Sequence, residues 1–271
     1  MGGGRGAGQV ARQRLLPQAA GMSEPVLVSR TDAVCEVRLN RPEKRNAITF
    51  LMYEQLVAAL GAAQADETLR AVLLSGEGAS FSAGNDLQDF LSGPPLSAAH
   101  PAMQFLRTLA TFGKPLVAAV QGQTVGIGVT MLLHCDLIVA ARSAQLSLPF
   151  VALGLVPEAG SSLLLPRLIG QQRAAELLFL GQPFNADTAY RLGLVNSVVE
   201  EKSLLDEARA LARALAQQPP EALLATRRLL RGDSGELLAR IEGEARIFGA
   251  QLQSEEFRAR VRTFLARGRG G

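Results

Sequence analysis

The sequence has no tryptophan, two tyrosines, two cysteines and two histidines, and its lysines (Lys44, Lys114 and Lys202) are few beside its arginines. Cys35 and Cys135 lie in apolar stretches without a CxxC or Cys/His cluster, which excludes a disulfide framework and leaves buried thiols in a reducing compartment. His100 and His134 have no ligand-spaced partner, so both read as satisfied or solvated histidines and no metal site is expected. Residues 1–21 contain no acid, and their Arg5, Arg12 and Arg14 account for the whole net charge of +3. The body is therefore neutral, which excludes a general nucleic-acid footprint. Residues 115–135 carry no Asp, Glu, Lys or Arg, a length that could span a bilayer. Gln121, Gly122, Gln123, Thr124, Gly126 and Gly128 interrupt it, so it reads as a buried strand, a glycine loop and a buried helix, and no membrane partner is expected.

At 271 residues the chain can bury one large core with a smaller appendage. Residues 1–21 read as a disordered extension, with Met22 as an alternative start; a targeting leader is the second reading. The scarcity of lysine is a bias of GC-rich bacterial genomes, and a bacterial cytoplasm is the expected setting. Residues 22–203 form the expected core. Val26–Val28 and Ala33–Leu39 alternate like a strand pair, Thr49 reads as the N-cap of a helix reaching about Ala65, and Ala71–Ser75 reads as a strand covered on both faces. The same grammar recurs: a helix over 99–112, a strand over Leu116–Val120, a helix over about 129–135, strands over Asp136–Ala141 and Ala144–Ser147, a turn at 157–162 opening a helix, and another helix over 171–180. Alternation of strand, loop and helix argues for an α/β fold. Residues 204–271 are almost wholly helical, punctuated by Pro219-Pro220 and by Gly232 to Gly235, and read as a packing or oligomerisation region.

Two glycine-bearing loops each follow a buried strand: Ser80-Phe81-Ser82-Ala83-Gly84-Asn85-Asp86-Leu87 and Gly122-Gln123-Thr124-Val125-Gly126-Ile127-Gly128-Val129. Small residues let a ligand approach the backbone, and N–H groups at a helix start can face developing negative charge. Neither loop is a GxGxxG or GK[ST] phosphate motif. In order and with their flanks, however, they resemble the crotonase (enoyl-CoA hydratase/isomerase) superfamily. The matching segments are Leu39 to Ala47, Phe81 to Leu87, Lys114 to Gly122, Cys135-Asp136, Gly154-Leu155-Val156-Pro157, Asn185-Ala186, Gly193 to Asn196 and Ser254 to Phe257, covering about residues 24–265.

That resemblance implies the ClpP-like spiral of ββα turns, a C-terminal helical region that assembles trimers or hexamers, and an acyl-CoA thioester substrate with no separate cofactor. It implies an oxyanion hole formed by the N–H groups of Ala83 and Ile127. A CoA path is implied along Lys44, Arg45, Asn46 and Ala47, and along Ser82, Gly84, Asn85, Asp86 and Leu87, with Gly126 beside it. Hydratases of the family use two glutamates, whose positions here are Thr130 and Phe150; neither ionises, although both remain substrate-contact candidates. A carboxylate appears instead at Glu158, in a Pro-Glu segment that resembles the Δ3,Δ2-enoyl-CoA isomerases.

One glutamate suits a 1,3-proton shift, taking a proton from C2 and returning it at C4 of a dienolate. Apolar neighbours would raise the Glu158 pKa, whereas the helix starting near Ser161 would lower it. Out of the family context Glu158 is an ordinary first-turn glutamate, and Asn85 and Asp86 are turn residues and an N-cap. The run Arg227, Arg228 and Arg231 reads as a solvated face. Hydratase or other crotonase chemistry, and a silent acyl-CoA binder, are the alternatives to isomerase.

Overall fold

The computed structural model describes residues 13–14 and 24–267. Most of the extension expected over 1–21 lies outside the described residues. The exception is β1 (Gln13–Arg14), which pairs antiparallel with Arg30 and Ser29 of β2 (Val26–Thr31). β3 (Val34–Leu39) completes a hairpin with β2, and Asp32 takes the left-handed conformation that so tight a turn needs. α1 (Phe50–Ala65) starts as expected at Thr49, whose hydroxyl accepts from the Met52 N–H at 3.3 Å. β4 (Ala71–Gly76) is buried along its whole length. It is followed by α2 (Leu87–Ser92), which sequence patterning does not reveal, and α3 (Pro101–Thr111).

The uncharged stretch becomes β5 (Leu116–Val120), β6 (Gln123–Val125) and a short α4 (Ile127–Thr130) that tightens into a 3-10 turn over Met131–His134. The helix expected over about 129–135 therefore begins two residues early, at Ile127, after the N-cap Gly126. β7 (Leu137–Ala141), β8 (Gln145–Ser147), α5 (Ser161–Ile169), α6 (Gln171–Leu180), β9 (Phe184–Asn185), α7 (Ala186–Arg191) and β10 (Ser197–Val199) follow. The main sheet runs β1-β2-β3-β4-β5-β7-β10, parallel from β3 onward. The second runs β6-β8-β9, with β6 and β8 parallel. Two successive segments, β5-β6-α4 and β7-β8-α5, thus feed one strand to each sheet before a helical turn, which is the ββα repeat of the spiral.

The tail contains α8 (Leu204–Ala216), α9 (Pro220–Arg231), α10 (Gly235–Leu252) and α11 (Glu255–Arg267). α8 is no appendage. Its Leu204, Ala208 and Ala212 seal a cluster with Leu73, Val117 and Val139 on the outer face of the sheet. Among the described residues no helix is long and apolar enough to cross a membrane.

The reading of Arg227 and Arg231 as a solvated face is overturned. Arg227 is buried and donates to Asp136 Oδ2 at 2.8 Å, and Arg231 donates to Asp136 Oδ1 at 2.8 Å. The same carboxylate accepts from the Leu116 N–H at 2.8 Å, so it ties α9 to the start of β5. Arg231→Ala is expected to cost about 2 kcal/mol, because it deletes charge-assisted hydrogen bonds to a half-buried acid; urea unfolding at neutral pH measures it.

Candidate active site

The loop after β4 is held between two others. Ser82 bridges Thr124 and Asn85 bridges Ile48. Asn46, wholly buried, accepts from the Arg41 N–H at 2.8 Å and donates to the Glu77 and Ser80 carbonyls at 2.9 and 2.8 Å. Ser82 is equally buried; its hydroxyl donates to the Asn46 carbonyl at 2.9 Å. Both residues therefore build the loops and neither lines the groove. Gly84 has φ +92, and a Cβ there would stand 2.9 Å from the Val125 carbonyl, so a side chain would push the two loops apart. Asp86 caps α2 through the Gln88 N–H at 3.2 Å and pairs with Arg41 at 3.2 Å, in line with the N-cap reading.

A groove of about 1490 Å³ runs over these loops. Lys44, Arg45 and Ala47 line it together with Ala83, Gly84, Asn85, Asp86 and Leu87 of the first glycine loop, Gly126 of the second, and Phe150. Arg260 from α11 adds a cation that the sequence reading did not assign. Thr130 is buried in α4 and lines no part of it.

The expected donor Ala83 requires correction. Its N–H is committed to the Arg45 carbonyl at 2.8 Å. Two residues on, the Ile48 N–H donates to the Gly84 carbonyl and the Asp86 N–H to the Ile48 carbonyl, at 2.8 and 2.9 Å. Those bonds turn the N–H of Asn85, which lies between them, away from Ile48. The Ile127 N–H is the first of α4 and has no acceptor in the preceding turn. Among the described residues, then, Asn85 on the first glycine loop and Ile127 on the second each carry a backbone N–H with no protein acceptor.

Glu158 stands on a turn in which Ala159 and Gly160 both have positive φ, 62° and 70°. Its carboxylate faces a small cavity of about 10 Å³ walled by Phe90, Leu96, Met103, Leu106, Ile241 and Phe248. Phe248 also lines the groove, so the small cavity and the groove share that residue as a wall. Asn85 Nδ2 lies 3.5 Å from Glu158 Oε2, while Asn85 Oδ1 accepts from the Tyr53 hydroxyl. Glu158 Oε1 has no partner.

Burial pushes this carboxyl from an ordinary value of 4.5 up to about 8; the Asn85 amide opposes the rise and the nearby Glu244 adds to it. Desolvation therefore wins the contest that the sequence left open. His134 is held beneath the same turn, its Nε2 2.8 Å from the Ala159 carbonyl, and burial lowers its pKa to about 4. It is neutral and donates through Nε2. His100 caps α3 through the Ala102 N–H at 3.2 Å. Cys35 and Cys135 are free thiols that burial raises to about 12.

Tyr53, Glu244 and Phe248, like Arg260, are site neighbours that the sequence reading missed. Glu244 alone left a signal, an acid on the helix face shared by Ile241 and Phe248.

Comparison with known proteins agrees with this architecture. The chain is 35% identical over 254 residues to the 1,2-epoxyphenylacetyl-CoA isomerase of Escherichia coli, covering 91% of this chain and 97% of that protein. It is 36% identical over 252 residues to enoyl-CoA delta isomerase 2 of Rattus norvegicus, covering 90% of this chain but 64% of that longer protein. The solved structure of Pseudomonas aeruginosa OdaA superposes with a TM-score of 0.87 at 43% identity, over 89% of this chain and 99% of the other. Residues 29–269 match the family model described as enoyl-CoA hydratase/isomerase, and the chain belongs to that family.

Proposed function

We propose that the protein is a Δ3,Δ2-enoyl-CoA isomerase that moves a double bond through a thioester dienolate, with Glu158 as the proton shuttle. The observation that carries this reading is a single desolvated carboxyl, one oxygen unpartnered, held against the side chain of Asn85, whose own backbone N–H has no acceptor. The thioester carbonyl of the substrate accepts from the Asn85 and Ile127 N–H groups. Ionised Glu158 removes a proton from C2, the negative charge collects on the thioester oxygen, and the two amides stabilise it without reorganising. The same carboxyl then delivers the proton to C4. A 1,3-shift needs one group that both takes and gives a proton, and a pKa near neutrality serves both halves.

The positions where a hydratase would hold two carboxylates carry Thr130 and Phe150, so no ionisable group there can orient and deprotonate water. The named reactions of the relatives differ from one another, and the choice of a double-bond shift rests on this chain's own residues.

A direct assay separates the reactions. Purified protein is incubated with a 3-enoyl-CoA and, separately, with a 2-enoyl-CoA, and the absorbance of the conjugated thioester is followed. Absorbance is expected to grow with the first substrate and to stay constant with the second. Loss of absorbance with the second means hydration and overturns the proposal.

A further inference from the structure

α5 begins at Gly160, which has no side chain to satisfy the open amides of the first turn. Glu244 supplies the acceptor from α10, distant in sequence. Its Oε2 accepts from the Gly160 N–H at 2.7 Å and its Oε1 from the Ser162 N–H at 2.9 Å. The carboxylate is buried and lines the same small cavity as Glu158. One side chain thus spans the start of α5 immediately after the turn that carries Glu158.

The two acids are not equivalent. Burial raises the Glu244 carboxyl as well, but its two short amide bonds and the positive end of a helix oppose that rise and favour its anion. Glu158 has one long bond from Asn85 and an unpartnered oxygen. Two carboxylates facing one small apolar cavity do not readily ionise together, so the better-solvated one keeps the charge.

The remaining polar groups do not disturb this division. Tyr53 on α1 is a neutral phenol bonded to Asn85, and His134 under the turn is neutral. Arg240 on α10 bonds the Ser162 hydroxyl at 3.3 Å and supports the Glu244 anion. α2 and α3 present to the cavity only apolar groups, Phe90, Ala102, Met103 and Leu106.

We propose that Glu244 is a positioning residue for Glu158: seated on the Gly160 and Ser162 amides, its carboxylate fixes the Glu158 turn and, as a nearby negative charge, adds to the effect of burial in keeping the proton on Glu158 in the free protein. It occupies the helix end that would otherwise stabilise the Glu158 anion. The inference rests on the reading of Glu158 as the shuttle only for its catalytic consequence; the coupling between the two carboxyls stands apart from it.

The test is a carboxyl 13C NMR titration of the whole protein labelled at glutamate, with the Glu158 signal assigned by its loss in Glu158→Gln. Glu158 is expected to titrate near pH 8 in the native protein. In Glu244→Gln it should titrate at least about one pH unit lower, because a like charge is gone. Glu244→Asp keeps the charge but cannot reach both amides. Its Glu158 should titrate where the native one does, while turnover of a 3-enoyl-CoA falls about tenfold or more through a loosened turn.

An unshifted Glu158 in Glu244→Gln overturns the proposal. If that variant does not fold, Glu244→Asp decides, and native turnover there overturns it. A shifted titration with a fully active Glu158→Gln would instead sink the assignment of Glu158 as shuttle and leave the coupling intact.

Discussion

Glu158→Gln is expected to lower turnover of a 3-enoyl-CoA at least about 100-fold, the usual loss when a positioned acid–base is removed. The substitution keeps the shape of the side chain, and the Asn85 amide can still face an oxygen. The loss should therefore appear in kcat, with little change in KM. In the native protein kcat/KM should rise with pH and level off above about 8, because ionised Glu158 is the reactive form. Glu158→Gln should lack that limb.

A second readout has the opposite sign. The folded carboxyl has a raised pKa, so the unfolded chain gives up its proton first, near 4.5, and native stability falls as pH rises from there to about 8. Glutamine does not titrate, and Glu158→Gln should melt higher than the native protein at pH 9 and close to it at pH 4. Undiminished turnover, or a melting difference that does not depend on pH, would remove Glu158 from the mechanism.

What the sequence made legible here was local. β4 and β5 read as buried strands because their runs of Ala, Val and Leu have no polar alternation, and each glycine loop could be placed by its small residues. The wrong oxyanion donor shows where that legibility ends. In an extended segment consecutive N–H groups point to opposite sides, and which ones are free depends on the neighbouring backbone, here Arg45 and Ile48. No side chain records that, so nothing in the sequence itself tests Ala83, the donor that the family resemblance implies.

Distance along the chain hid the rest. Arg231 and Asp136 are 95 positions apart, and the Gly160–Glu244 bond spans 84. A basic run on an amphipathic helix looks solvated until the buried acid it meets is known. α2 was missed because it is a single short turn-and-a-half whose cap, Asp86, is also part of a glycine loop.

The donor at Ile127 can be removed without touching a polar side chain. Ile127→Pro deletes the N–H at the first position of α4, the one helical position where proline is favoured because that hydrogen has no intrahelical acceptor. The preceding residue, Gly126, has φ 54 and ψ −117, outside the right-handed helical region that proline denies to its predecessor. Ile127 is wholly buried, so the change also deletes packing, and Ile127→Ala supplies the control because it loses the side chain and keeps the amide. Both variants should melt lower than the native protein. Ile127→Ala should keep kcat within about tenfold, whereas Ile127→Pro should lose about 10²–10³, the effect of deleting one oxyanion donor. KM should move little, since the amide bonds the thioester oxygen most strongly when that oxygen carries the dienolate charge. Equal activity in the two variants would place the oxyanion stabilisation elsewhere, and the pairing of the two glycine loops would then serve the fold alone.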